Sequence, residues 1–80
     1  MPKKDKRCVE FGRAVRKYRH EKGISQEALA KSAKIHRTYI GGIERGERNP
    51  TLVMIHRIAA ALAVTPSRLL ESLPPDEGTE

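Results

Sequence analysis

The chain has 80 residues, which is enough for one small domain and too few for a large buried pocket or a multilayered core. Its 16 lysines and arginines against 10 acids give a net charge of +6, and the last seven residues hold three of the acids and no base. This basic excess indicates a polyanionic partner, nucleic acid more often than an anionic membrane, although charge also serves solubility alone.

Apolar residues recur at helical spacing, with no strand-like alternation, which predicts an all-α domain. A first helix is expected over residues 6–22, with Phe11, Val15 and Tyr18 on its apolar side. Gly23 is the expected end of that helix, because glycine accepts the left-handed conformation that often follows a last turn.

Four further helices are predicted from residues that favour the N-cap position: Ser25, His36, Thr51 and Thr65. Pro66 follows the last cap and suits the first helical position. Three caps are flanked by apolar pairs with the spacing of a hydrophobic staple: Ile24 with Leu29, Ile35 with Ile40, and Val64 with Leu69. The fourth helix carries an apolar stripe that we expect to face the core: Leu52, Ile55, Ala59 and Leu62, with Ile58 beside it.

These elements place the folded domain over residues 6–73, between a flexible basic N-terminus (1–5) and a flexible acidic, proline-rich tail (74–80). No apolar run follows the N-terminal bases, and none approaches the ~18 residues that span a membrane. A cytoplasmic location is therefore expected. The single cysteine, Cys8, cannot form an internal disulfide, which agrees with a reducing compartment.

The third helix has an unusual outward face. On a helical wheel, one arc of about 140° holds five of its residues: Arg37, Thr38, Gly41, Gly42 and Arg45. The opposite side, with Ile40 and Ile43, is expected to face the core. The outward arc then offers two arginines and a threonine around backbone without side chains, which suits the major groove of DNA.

The glycine pair costs a helix about 2 kcal/mol in all, so its presence needs an explanation. One possibility is that the pair breaks the helix and makes residues 41–46 a loop. The continuous inward spacing of Ile40, Ile43 and Glu44 favours the helix. We therefore expect Gly41 and Gly42 to lie on the exposed face and to permit close approach of the backbone to DNA.

Two charges fall on apolar helix faces. Arg19 lies four residues after Val15 on the first helix, and Glu44 lies four after Ile40 on the third. An unpaired charge against a core is costly, whereas arginine and a carboxylate can form a bidentate pair. We therefore expect Arg19 and Glu44 to pair and to join these two helices, a structural role rather than a catalytic one.

The stretch ISQEALAKSAKIHRTYIGGIERGERNPTL resembles the helix-turn-helix domain of phage-repressor and Cro-like (XRE-type) transcriptional regulators. The likeness runs from about Arg16 to Leu62, and SQEALA, RTYI, IERG and RNPTL carry it together. It implies a compact five-helix, phage-repressor-like fold with the helix-turn-helix at about residues 25–45. It also implies that the third helix is the recognition helix and that double-stranded DNA is the partner.

The wheel and the resemblance together give candidate contacts to DNA. Base-contacting candidates are Arg37, Thr38, Gly41 and Gly42. The candidates for contact with the DNA backbone are Gln26, Lys34, His36, Tyr39, Arg45, Arg48 and Asn49. Lys34 departs from the family pattern, which often has glycine there, so either the lysine accepts a strained φ or the turn differs.

With its short length and the motifs HRTYI, IERG and RNP, the chain also resembles the controller proteins of restriction-modification systems. Those proteins are dimeric activators or repressors of their own operons. That resemblance implies a homodimer on a palindromic or pseudopalindromic operator, without a small-molecule ligand. Candidate dimer-interface residues are Val53, Met54, Leu69, Leu70 and Leu73. The alternative is that Leu69 and Leu70 only close the core of one subunit.

Other classes of function are less consistent with the sequence. The histidines are far apart, no His/Cys cluster has metal-ligand spacing, and no nucleophile or phosphate-loop motif is present, so neither an enzyme nor a cofactor or metal site is expected. An antitoxin that binds a partner toxin remains an alternative, although the acidic tail is short for that purpose. A membrane-surface helix is a third possibility, but the first helix lacks a large exposed apolar face.

Overall fold

The computed structural model describes residues 4–76; residues 1–3 and 77–80 lie outside the described part of the chain. The described residues form five helices and no strand. These are α1 (Lys6–Lys22), α2 (Gln26–Ala33), α3 (Arg37–Glu44), α4 (Leu52–Leu62) and α5 (Pro66–Leu70). The predicted all-α, five-helix fold is therefore confirmed. α3 is continuous through its two glycines rather than broken by them.

Each helix begins at a side chain that accepts a hydrogen bond from a backbone N–H of its first turn, as N-caps do. The caps are Asp5, Ser25, His36, Thr51 and Thr65. Asp5, placed by the sequence analysis in the N-terminal segment, also receives two hydrogen bonds from the Arg7 guanidinium. These bonds hold the pKa of Asp5 well below its usual range.

The core lies between the helices, and twelve apolar residues of the range 4–76 are buried in it. They are Phe11, Val15, Leu29, Ala30, Ala33, Ile35, Ile40, Ile43, Ile58, Ala59, Leu62 and Leu69. The inner member of every predicted staple belongs to this set, so the three caps with a staple have apolar packing next to them. No helix in residues 4–76 has both the length and the apolar composition needed to cross a bilayer.

α1 and α3 cross in backbone contact at Gly12. A methyl group built on this glycine would overlap the carbonyl oxygen of Ile43 and lie 2.9 Å from that of Glu44. Because both obstacles are backbone atoms, a side chain at position 12 requires the helices to move apart. Gly12 therefore sets the distance of α3 from α1.

The prediction that Leu52 faces the core is wrong. Its side chain is 78% exposed, and Val53 is 58% exposed. Along α4, burial rises from these two residues through the partly buried Ile55 to the fully buried Ile58. The first turn of α4 thus extends past the helices that pack against the rest of α4. Its apolar residues are therefore exposed despite their helical spacing.

Lys34 and Ala63 end α2 and α4 in the left-handed conformation, with φ of 58° and 59°. Lysine thus accepts the strained φ at the turn before α3. Its N–H donates to the carbonyls of Ala30 and Lys31, as the residue that ends a helix commonly does. A side chain in this conformation costs about 1 kcal/mol or more relative to glycine.

We expect Lys34→Gly to raise the free energy of unfolding by about 0.5–1 kcal/mol, because relief of the backbone strain outweighs the greater freedom of the unfolded chain. Ala63→Gly is the matched control: it relieves the same strain without removing a charge. Urea unfolding of both variants measures the gain. A loss of stability in both variants would contradict the strain at these positions.

Candidate nucleic-acid interface

α2 and α3 are joined by a tight turn, residues 34–36, which directs the start of α3 away from the core. Arg37 and Thr38 are exposed in the first turn of α3, Tyr39 is half-buried, and Ile40 and Ile43 are fully buried. His36 caps the first turn of α3, since its Nδ1 accepts a hydrogen bond from the Thr38 N–H at 3.2 Å. The ring therefore carries its proton on Nε2, which leaves that nitrogen free to donate.

The glycine pair differs from its predicted state, because both glycines are buried. The Arg45 and Arg48 side chains cover them. A methyl group on Gly41 would lie 3.1 Å from Arg45 Nη1, and one on Gly42 would lie 2.8 Å from Arg48 Cγ. The helical wheel places the glycines on the outward side correctly, but it does not show that later residues fold back over that side.

Both covering arginines have further partners. Arg45 Nε lies 3.1 Å from a carboxylate oxygen of Glu47, in an exposed ion pair. The Arg48 guanidinium stacks 5.1 Å from the centroid of the Tyr39 ring. Tyr39 in turn donates from its hydroxyl to the Asn49 carbonyl at 3.5 Å. The loop after α3 is thus held against the outward face of that helix, with its positive charges over the glycines.

The Arg19–Glu44 pair, which the sequence predicts, is bidentate in the structure. Arg19 Nε and Nη2 donate to the two Glu44 oxygens at 2.6 and 3.0 Å, and the side chains are only 11% and 4% exposed. The hydrogen-bonded carboxylate raises the pKa of Arg19. Arg19 also donates to the Ile24 carbonyl at 3.0 Å. One guanidinium therefore joins α1, the turn before α2, and α3.

Gln26 is part of the same network, since its Nε2 donates to Glu44 Oε1 at 3.0 Å. This bond uses one of the two amide hydrogens and leaves the other for an external acceptor. The resemblance assigns Gln26 a phosphate contact. In the structure, the buried Glu44 carboxylate holds the Gln26 amide in place at the start of α2.

Lys34 and Arg37 are exposed, one before and one after the His36 cap. Within residues 4–76 neither side chain forms an ion pair or a hydrogen bond. Their charges are therefore available to an external anion. Together with the exposed Arg48 and Asn49 they make this side of the molecule basic and rich in donors.

Among the predicted interface residues, Leu69 is wrongly assigned. It is 0% exposed and sealed in the core, because the staple with Val64 turns it inward. Val53 is exposed, whereas Met54, Leu70 and Leu73 are partly buried against the core. Leu52, which we expected to face the core, is exposed beside Val53. Its position as the first residue of α4, directly after the Thr51 cap, was the available signal.

Comparison with known proteins agrees with this arrangement. Residues 15–69 match the family model described as helix-turn-helix. The control protein C.BamHI of Bacillus amyloliquefaciens is 50% identical over 62 residues, which is 76% of each chain. The solved controller protein C.AhdI of Aeromonas hydrophila has a TM-score of 0.76 and 47% identity, over 78% of this chain and 94% of that one.

A further solved structure, of the hypothetical transcription factor NHTF from Neisseria, has a TM-score of 0.79 and 37% identity, over 94% of this chain and 84% of that one. The chain therefore belongs to the helix-turn-helix family. Its resemblance to Cro-like regulators, and more narrowly to restriction-modification controller proteins, is confirmed.

We expect Glu44→Gln to lower the free energy of unfolding by about 3 kcal/mol or more, because it leaves the Arg19 charge buried without a counter-ion. The matched control is Glu10→Gln, which breaks the exposed pair between Glu10 and Arg13. That change should cost about 1 kcal/mol or less. Urea denaturation followed by circular dichroism measures both. Equal losses of stability in the two variants would show that the buried pair stabilises the fold no more than the exposed pair does.

Proposed function

We propose that this helix-turn-helix protein binds a pseudopalindromic DNA operator as a homodimer, with α3 in the major groove, and regulates its own operon in the manner of a controller protein. The observation that carries the proposal is the exposed first turn of α3. There Arg37 and Thr38 project from a helix whose other side is locked into the core.

Base readout is assigned to Arg37 and Thr38. The Arg37 guanidinium is exposed and has no partner within the described residues, so it keeps all its donors for a base edge. Arginine matches the two acceptors of guanine, O6 and N7, and a threonine methyl can pack on the methyl group of thymine. Contacts of these two kinds carry sequence information, whereas contacts to phosphate do not.

Positioning on the DNA backbone is assigned to donors that surround this turn: Gln26, Lys34, His36, Tyr39, Arg45, Arg48 and Asn49. One of them is already held in place by a neighbour, because the Gln26 amide is bonded to Glu44. A fixed donor loses less conformational entropy when it binds phosphate, so this contact costs less to form.

The buried state of the glycines changes their proposed part. Base contacts by Gly41 and Gly42 require that Arg45 and Arg48 leave the helix surface. The phosphates on either side of the groove offer these arginines alternative partners. We infer that the glycines provide a shallow channel in which the arginines lie in the free protein, and that DNA draws them outward. Arg45 must then exchange Glu47 for phosphate.

Dimerisation is assigned to the start of α4 and the end of the chain's folded part. Leu52 and Val53 are exposed, and Met54, Leu70 and Leu73 are partly buried. Exposed large apolar side chains next to each other favour a protein partner. A two-fold interface here would present two recognition helices to half-sites about one DNA turn apart, ~34 Å.

Selection of bound duplexes from a random pool, followed by footprinting of the winning sequence, tests the proposal. We expect two inverted half-sites whose centres are about one helical turn apart. Sedimentation of the free protein should show a dimer that Leu52→Asp dissociates. Enrichment of no sequence, or of a single asymmetric half-site by a monomer, would contradict the proposed mode.

Arg37→Ala and Arg48→Ala should separate readout from positioning. Loss of Arg37 should cost roughly 1–3 kcal/mol of binding and relax base preference at one position of each half-site. Loss of Arg48 should weaken binding to all duplexes about equally and reduce the salt slope by about one unit. Titrations of the selected duplex and its point variants measure both. Equal shifts in specificity would refute these assignments.

Gly41→Leu should fold but bind the selected duplex at least about tenfold more weakly, because the side chain would occupy the place of Arg45 and keep the backbone from the groove. Gly41→Ala is the graded control. Its methyl group meets the movable end of Arg45 at 3.1 Å and Gln26 Oε1 at an ordinary contact distance of 3.6 Å, and the helix gains up to about 1 kcal/mol. Unimpaired binding by the folded leucine variant would show that the glycine pair is needed neither to accommodate Arg45 nor to bring the helix backbone close to the groove.

A further inference from the structure

A cleft of about 380 Å³ lies between the end of α2 and the middle of α4, and we call it the α2–α4 cleft. It is lined by Ser32, Ala33, Lys34, His56, Arg57, Ala60 and Ala61. The three alanines leave space between the helices that larger side chains would fill. Its volume is within the range of small-molecule sites, about 300–1,000 Å³.

The side chains around this cleft are basic. Lys34, His56 and Arg57 line it with exposed side chains, Ser32 lines it as well, and no acidic residue among residues 4–76 does so. Within residues 4–76, none of these basic groups has an ion pair or a hydrogen bond. Most other arginines of that range are bound to a carboxylate or an aromatic ring. Within the described part of the chain, Arg57 therefore has no partner for any of its donors.

We propose that the α2–α4 cleft binds a phosphate group. A guanidinium, an ammonium, an imidazole and a hydroxyl belong to residues that line one concavity, none of whose described lining residues is acidic, and phosphate is the common anion that accepts from all of them. Arg57 offers two parallel donors, and Lys34 adds a point charge. Two sources share this chemistry: a DNA backbone phosphate, or a free phosphate compound.

The DNA source rests on the proposed function, since Lys34 belongs to the turn that leads into α3. A strand that passes this turn would bring a phosphate to the cleft and extend the interface onto α4. The free source does not depend on DNA binding. The experiment therefore has one arm without DNA and one arm with it.

In the first arm, the full chain is titrated with inorganic pyrophosphate at constant ionic strength and followed by ¹H–¹⁵N NMR. We expect saturable shifts of the Lys34 amide and the Arg57 side-chain N–H. Arg57→Gln, which lacks the second of these probes, should abolish the shift of the Lys34 amide. Arg16→Gln is the matched control, because Arg16 is also an exposed arginine but lies outside the cleft. Val53 is one helical turn before Arg57, so sedimentation checks that the oligomeric state stays constant.

In the second arm, binding of the selected duplex is measured as a function of salt. If a backbone phosphate occupies the cleft, Arg57→Gln should reduce the salt slope by about one unit, while Arg16→Gln leaves it unchanged. An effect in both variants alike would reflect net charge rather than the cleft and would count against this source.

Either response restricted to Arg57→Gln supports the proposal and identifies the source. Pyrophosphate shifts without an effect on DNA indicate a free phosphate compound. If neither arm distinguishes Arg57→Gln from Arg16→Gln, the cleft is not a phosphate site. If the wild-type chain selects no duplex, the proposed function fails, and the first arm still decides whether the cleft binds phosphate.

Discussion

The bidentate pair between Arg19 and Glu44 fixes the geometry on which the rest of the interface depends. It joins α1 to the inner side of α3 at 2.6 and 3.0 Å, next to the point where Gly12 lets the two backbones touch. The same carboxylate accepts from Gln26, so the start of α2 is held as well. With its inner side locked, α3 can expose its first turn without losing its orientation. Breaking such a pair is costly because each charge is buried only with its partner.

Local patterns were sufficient to predict the five helices, and the resemblance to Cro-like regulators implied how they are arranged. Caps, staples and helical spacing gave all five helices, because these signals are contained within a few neighbouring residues. The ion pair was also predictable, since two charges on apolar faces must find each other in a small core. Lys34 left two possibilities open, and the structure has the strained one, with φ of 58°.

The errors concern contacts that no local pattern encodes. The wheel places Gly41 and Gly42 outward, but Arg45 and Arg48 come from the helix end and the following loop and cover them. Leu52, expected in the core, is exposed, and Leu69, a candidate for the dimer interface, is buried. Burial at these positions depends on where each helix end lies relative to the other helices. The Asp5 cap was missed because a single aspartate in a run of bases is a weak signal.

We expect DNA to contact the side of the molecule formed by the turn before α3, the start of α3 and the loop that follows α3. The most direct measurement is the change in backbone amide shifts when the selected duplex is added to labelled protein. The largest changes are expected between Arg37 and Gly42 and over residues 45–49, because Arg45 and Arg48 leave the glycines there. Largest changes on α1 or α5, with α3 unaltered, would contradict it.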